Sequence, residues 1–317
     1  MAPASAIRLS FHQEMGLKMA PIRYVIVTPA RDEEKYIEET ILSVIHQTIL
    51  PIEWVIVDDG SCDCTPEIVR RYIPDHPFIR LVRTHRTGIR QTGTAEIRAF
   101  KYGYESIRAE DHDFIVKLDC DLSFEPDYFE NLFGRFMEDR RLGIASGVYL
   151  EKGETGSWKE VAMPLYHAAG ASKVLRRECF EEIGGFILAA GWDTVDEIRA
   201  ITLGWKTGHF IDLKMNHLKP EGSGMGSIRT SVMHGEIYYL TGGSKIFFLL
   251  KVLHRMGKKP RGIGALALSW GYLKALWKRK TPLVTQAEAE CYQALLRERL
   301  QGQTKALFSR ALTSSYR

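Results

Sequence analysis

No stretch of the 317 residues holds the roughly 18 uninterrupted apolar residues of a bilayer-spanning helix. The nearest are "IFFLL" (Ile246–Leu250) and "GIGALALSWGYLKALW" (Gly262–Trp277), the second broken by Lys274. The N-terminus has no apolar core of the kind a secretory signal carries, so residues 1–22 read as a flexible leader. Cysteine is scarce. Cys62, Cys64, Cys120, Cys179 and Cys291 are odd in number and do not form a disulfide framework. Cys62 and Cys64 lack a second close pair with which to complete a zinc site. Reduced thiols and a cytoplasmic location follow as expectations. No G-x-G-x-x-G follows the first apolar run and no G-x-x-x-x-G-K-[ST] occurs anywhere. Neither a dinucleotide turn nor a P-loop is therefore present.

What is present begins with a charge asymmetry. Residues 221–317 carry 16 Lys/Arg against 5 Asp/Glu, whereas residues 1–220 carry 27 against 34. An acidic body with a basic tail suggests an anionic partner for the tail, either nucleic acid or a membrane surface. The body alternates strand and helix patterns. "YVIVT" (from Tyr24), "EWVIVDD" (from Glu53), "FIRLVR" (from Phe78), "DFIVKLD" (from Asp113) and "GIASGVYL" (from Gly143) read as strands. Between them, Glu33–Gln47 has apolar residues at helical spacing, Thr65 caps a second helix with Pro66 in its first turn, and "TAEIRAFKYGYESI" forms a third. Continuous apolar strands alternating with helices predict an α/β fold with a mostly parallel central sheet flanked by helices. Ligands in such folds bind beyond the carboxyl ends of the strands.

Three of those strand ends are acidic: "TPARDEE", "DDGSCD" and "LDCD". The first has no glycine, and its carboxylates would repel a phosphate. They can instead accept hydrogen bonds from a base or ribose. Asp119 and Asp121, one residue apart at the end of "VKLDCD", repel each other unless something cationic stands between them. A hard divalent ion with oxygen ligands would relieve that repulsion and neutralise a diphosphate.

The ordered set "TPARDEEKYIEETILSVIHQT", "WVIVDDGSCDCT", "FIVKLDCDL", "GGF" and "WDTVDEIRAITLGWKT" resembles the family 2 glycosyltransferases of the GT-A fold, over about Tyr24–Lys219. Those are inverting enzymes that use nucleotide-diphospho-sugars. The resemblance implies that Pro29, Ala30, Arg31 and Glu33 meet the nucleoside. It also implies that Asp59, with Asp58 beside it, contacts the base, and that Asp119 and Asp121 form the D-x-D that holds Mn²⁺ or Mg²⁺. Asp121 is the more direct ligand, and His217 stands where the family often places a histidine against metal or diphosphate. The third loop, "RTGIRQTGTAEIRAF", departs from the family's usual A-R-N-x-G form, leaving Arg90 or Arg98 as the phosphate or sugar contact. The general base aligns with Asp193, where Trp192 replaces the family's usual preceding glutamate. Asp196, one turn on, is the second candidate. The implied donor is of UDP or GDP type, and the acceptor is a glycan or a lipid-linked molecule.

Residues 23–220 thus read as the catalytic domain, with 221–317 a basic, aromatic, mostly helical extension on the acceptor or membrane side. Two other readings compete. A nucleotidyltransferase also uses paired carboxylates and a metal, but it would favour a glycine-rich, basic first loop over "TPARDEE". A nucleic-acid-binding protein would use the tail, yet the acidic body holds no module of that kind, so no nucleic acid is expected. Runs such as "IFFLLKVL" beside "HRMGKKPR" and "WGYLKALW" beside "KRK" instead suit peripheral attachment at the inner, anionic face of a membrane.

Overall fold

The computed structural model describes residues 21–84, 94–153, 156–219, 226–258 and 261–314. All but the last two residues of the expected leader lie outside that range. Four apolar runs become adjacent parallel strands: β1 (Tyr24–Ala30), β2 (Glu53–Asp58), β3 (Ile79–Arg83) and β4 (Phe114–Leu118). Every residue of β2 and β4 is buried, since helices cover both faces of the sheet. On one face Ile26, Trp54 and Phe114 pack with α1 (Ile37–Ile45), α2 (Thr65–Tyr72) and, after the short β5 (Leu122–Phe124), with α4 (Tyr128–Glu138). On the other, Val25, Val27, Val55 and Val57 pack with α3 (Ala95–Glu105). Helix α3 lies close to the strands because Gly103 has no side chain. A Cβ there would sit 2.5 Å from Val57 Cγ2 and 2.6 Å from Val27 Cγ1.

The parallel reading holds for this half of the sheet. Beyond β4 the sheet is mixed. With β6 (Leu142–Lys152), β7 (Trp158–Glu160), β8 (Ser172–Arg176) and β9 (Lys206–His217), the order is β3-β2-β1-β4-β8-β6-β9-β5, and β7 pairs with β6. Strand β8 runs antiparallel to both β4 and β6, while β9 is parallel to β6 and antiparallel to β5. "SKVLR" is short and carries two cationic residues, and "KTGHFIDLKMNH" is largely polar, so neither shows the continuous apolar run that marks a buried strand. Pairing of β5 with β9 sets Leu122 opposite His217, directly after the D-x-D.

Helix α1 starts at Ile37, later than its apolar period suggests, because Glu33–Tyr36 form a turn that the neighbouring loop holds. The chain continues through α5 (Arg177–Glu182), α6 (Trp192–Thr202), α7 (Ser227–Leu240), α8 (Lys245–Met256), α9 (Ile263–Trp277) and α10 (Gln286–Ser314). The C-terminal helices join the body through one apolar cluster, in which Val195 and Ile198 of α6 meet Tyr238, Val284, Tyr292 and Leu296. Helices α7 and α9 cross almost backbone to backbone. A Cβ on Gly235 would lie 1.9 Å from Leu268 O, and one on Gly271 1.9 Å from Val232 O. Among the described residues no helix is long and apolar enough to cross a membrane.

The same substitution is expected to have opposite signs at two helical glycines. Gly235→Ala forces the α7–α9 crossing apart and lowers stability by about 1–3 kcal/mol. Gly134→Ala, in α4 with no atom within 4 Å of the new methyl, raises it by about 0.5–1 kcal/mol. Urea unfolding of the two variants beside the parent checks both signs.

Candidate active site

The loops after β1 and β2 are stitched to each other by side chains. Asp32 takes a left-handed backbone (φ 57°), which Asp tolerates better than most residues, and its carboxylate accepts the Cys62 N–H at 2.8 Å. The Glu33 N–H donates to Thr65 Oγ1 at 2.8 Å, and the Glu34 N–H donates to Asp63 Oδ2 at 3.0 Å. Thr65 was the expected helix cap. Cys64 takes that position instead, and the Thr65 hydroxyl serves the first loop. Pro29 and Ala30 end β1 against Val57 and Asp58. Buried Asp58 shapes the second loop: it accepts the Ser61 N–H at 2.7 Å and lies 3.1 Å from Arg83 Nε. Asp59, also buried, donates its N–H to Ala30 O and accepts the Thr84 hydroxyl at 2.7 Å. Arg31 is partly exposed at the same edge, 3.8 Å from Asp32.

At the end of β4 the two aspartates find different cations. Asp119 Oδ1 accepts from Lys117 Nζ at 2.6 Å, and Lys117, wholly buried, also pairs with Glu96. Burial raises Asp119 to about 7. Lys117 opposes the rise, and the Glu96 and Asp121 carboxylates add to it. Asp121 Oδ2 lies 3.4 Å from His217 Nε2. Burial works against charge on His217, but the Asp121 hydrogen bond and the carboxylates of Asp121, Asp119 and Glu151 outweigh it and raise the imidazole to about 9. Between the aspartates, the Cys120 thiol is buried and points at Pro29 O, 3.5 Å away, which ties this loop to β1. Burial, with Glu33, Asp121 and Asp119 nearby, raises that thiol well above its ordinary value, so it is a packing group and not a nucleophile.

Two residues of this edge carry no sequence signal. Glu151 of β6 is His217's register partner and brings Oε1 to 3.4 Å from its Nδ1. Lys219, two residues past His217, places Nζ 2.5 Å from Glu33 Oε1. Burial opposes the Lys219 charge, and Glu33 and Asp121 restore it, so the loop after β1 and the D-x-D share one cation. Among the described residues no three His, Cys, Asp or Glu already surround a single point. The donors nevertheless suit a hard or borderline divalent ion: two carboxylates and an imidazole, with His217 Nδ1 buried and not hydrogen-bonded. Arg90 lies outside the described residues, as does the glycine-rich stretch 220–225. Arg98 is half-buried on α3.

Asp193 and Asp196 do not share a surface. Gly191 (φ 89°) is the N-cap of α6, which leaves Asp193 in the first turn and only partly buried. Asp196 is buried under Lys173, whose Nζ contacts its oxygens at 2.9 and 3.1 Å. Burial raises Asp196 to about 7 despite Lys173. The same ammonium donates to Glu197 at 3.2 Å and to the Asp193 carbonyl at 3.0 Å. Glu197 in turn accepts from Ala168 N–H and faces His167 Nδ1 at 2.9 Å. Asp196 is thus a buried counter-ion, because α6 turns that side toward β8. Trp192 has a structural task as well. Its ring lies 5.3 Å from Lys117 Nζ and 5.2 Å from Lys173 Nζ. Phe186 of the "GGF" turn packs edge-on against it at 4.7 Å.

A sequence model of Glycosyl transferase family 2 matches residues 25–189, just over half of the chain. Chondroitin synthase from Escherichia coli is 31% identical over 126 residues, which is 40% of this chain but 17% of that protein. The chain therefore spans under a fifth of that relative's length. Among solved structures, a mannosyltransferase from Pyrobaculum calidifontis in complex with GDP-Man and Mn²⁺ superposes with a TM-score of 0.51 at 18% identity, covering 99% of this chain and 87% of that one. S. aureus TarS 1-349 in complex with UDP-GlcNAc gives 0.52 at 15% identity, covering 89% and 92%. At such identities the likeness speaks for the fold, which is GT-A. The family match spans the acidic loops after β1 and β2, the D-x-D and the turn that supports Trp192, and the chain belongs to the family 2 glycosyltransferases.

Proposed function

We propose that the protein transfers a sugar, with inversion, from a nucleotide-diphospho-sugar to an acceptor hydroxyl or phosphate in the synthesis of a cell-surface glycan or glycolipid. One observation carries this reading: the acidic nucleoside loops and the Asp121–His217 pair meet at one sheet edge, bridged by Lys219 and Glu33. Glu33 and Asp59, with Pro29, Ala30, Arg31 and Asp58 shaping their loops, receive the nucleoside of a UDP- or GDP-type donor. Asp121, His217 and Asp119 hold Mn²⁺ or Mg²⁺, which when bound neutralises the departing diphosphate. Lys219, held on Glu33, adds a positive charge at the same edge.

Asp193 is the general base, taking the proton from the acceptor. It is the carboxylate of α6 that is accessible from outside, and Lys173 fixes its backbone through the carbonyl. Asp196 is set aside for that role, since a base buried in an ion pair has no path to an acceptor. The ligands of the two solved structures support both donor types: one holds GDP-Man, the other UDP-GlcNAc. Family membership favours this reading over nucleotidyl transfer or nucleic-acid binding.

Removal of the Asp121 charge by Asp121→Asn is expected to lower donor hydrolysis and transfer by on the order of 10²–10³-fold, with the melting temperature within a few degrees of the parent. Hydrolysis of a panel of UDP- and GDP-sugars with Mn²⁺, Mg²⁺ or EDTA reads this out. Full activity in the variant with unchanged metal dependence removes the assignment.

The two α6 aspartates separate by phenotype. Asp193→Asn is expected to lose transfer by roughly 10²–10⁴-fold, while nucleoside diphosphate with Mn²⁺ still raises its melting temperature as in the parent. Asp196→Ala removes one of the two carboxylates that hold the buried Lys173 charge and is expected to cost about 1.5–3 kcal/mol of stability. Thermal melts with and without ligand, beside transfer assays, distinguish the two. A stable, inactive Asp196→Ala variant would reverse the assignment.

A further inference from the structure

Helix α9 is built inside out. Its buried side consists of Gly264, Ala265, Ala267, Leu268, Gly271 and Ala275. Its outward side carries Ile263, Leu266, Trp270, Leu273 and Trp277, three or four residues apart, with Leu266 72% and Trp277 83% exposed. Globular helices do the reverse, burying the large apolar residues and leaving the small or polar ones in water. Helix α8, which packs beside α9, has no buried residue at all. Phe247 and Phe248 hold it to the body, Phe248 stacking on Tyr272 at 4.2 Å. Its other side presents Ile246, Leu249, Leu250, Leu253 and Met256, between 42% and 71% exposed. Exposed apolar stripes on two helices that pack side by side mark an interaction site.

The charge around it identifies the partner. No Asp or Glu stands between Glu236 and Glu288, a span that holds ten Lys/Arg. Lys245, Lys258, Arg261, Lys278 and Arg279 are exposed there. A second copy of the chain meeting this face symmetrically would bring two predominantly basic surfaces together, which like-charge repulsion opposes. A surface of anionic lipid satisfies both components, with acyl chains for the apolar stripe and headgroups for the lysines and arginines. The 15 residues of α9 extend about 22 Å at a 1.5 Å rise, short of the ~30 Å hydrocarbon core, so the helix lies along the interface and does not cross it. Trp270 and Trp277 suit the headgroup level.

We infer that α8 and α9 form a monotopic docking face for an anionic bilayer. The placement also concerns the acceptor. Helix α7 rests on α9 at the Gly235–Gly271 crossing, and its Ile237 presses on Gly191, the cap of the turn that carries Asp193. The docked face thus stands one helix away from the base. On the transferase reading above, the acceptor is a lipid-borne phosphate or glycan presented by that bilayer. Docking itself does not depend on that reading.

The test is flotation of the full 317-residue chain with vesicles of phosphatidylcholine alone or of equal parts phosphatidylcholine and phosphatidylglycerol. The parent is expected to float with the anionic vesicles, less so as salt rises. Leu266→Ser/Trp270→Ser/Trp277→Ser and, separately, Lys278→Glu/Arg279→Glu are expected to bind on the order of tenfold more weakly. Both should keep the parent's metal-dependent donor hydrolysis. Parent protein that stays with the unbound fraction under all conditions overturns the proposal. So does a concentration-dependent dimer in light scattering that the triple serine variant abolishes. Flotation without any donor hydrolysis keeps the membrane face and removes the transferase reading.

Discussion

Crowding of like charge at one sheet edge is the constraint on which the rest of the site depends. Asp119, Asp121, Glu33 and Glu151 approach one another at the ends of β1, β4 and β6, where mutual repulsion would splay the loops apart. Cations from other elements hold them. Lys117 rises from within β4 to Asp119, His217 arrives from β9 to Asp121, and Lys219 reaches Glu33. None of these cations is far enough out to be lost to water. The edge is therefore primed with negative charge and already has some neutralisation. A site of that kind accepts a divalent ion and a diphosphate together more readily than either alone.

The second arrangement of buried charge lies behind the first. Lys117 and Lys173 are register partners across the β4–β8 pair, so two ammonium groups would face each other in the core. The Trp192 ring stands beside both, and each lysine takes its own carboxylates: Glu96 and Asp119 for Lys117, Asp196 and Glu197 for Lys173. This accounts for a tryptophan at position 192. The indole gives both cations a π-face without adding charge to a cluster that already holds four acids. It also links the D-x-D strand mechanically to the helix that carries Asp193, through packing and not through a shared ligand.

The C-terminal helices obey a different rule. Small residues let α7 and α9 close to backbone contact, and the large apolar residues are left outside. Packing density within the layer is high, yet the layer's outer surface is not one that water would select. On the docking proposal above, the basic residues on that side would set the active-site edge at a fixed distance from the bilayer.

Much of the catalytic half was legible in the amino-acid order. The apolar runs at Tyr24, Glu53 and Asp113 announce buried parallel strands, and acidic residues at their ends announce the site, because strand ends and sheet edge coincide in this class of fold. The family pattern laid on the chain names Asp121, His217 and Asp193 as candidates, and the structure sets Asp121 beside His217 and leaves Asp193 less buried than Asp196. Local sequence could not reveal what depends on strand pairing. Polar β8 and β9 become interior strands of the sheet because their neighbours supply the other half of their ladders, and only that pairing brings His217 beside Asp121 and Glu151 beside His217. Burial likewise separates Asp193 from Asp196, since helical spacing gives both one face and only the packing of α6 on β8 sinks the second under Lys173. The tail shows the same division. Its composition predicts an apolar, basic helical region, but which side of α9 is turned outward follows from the glycine crossing, a contact between segments more than thirty residues apart.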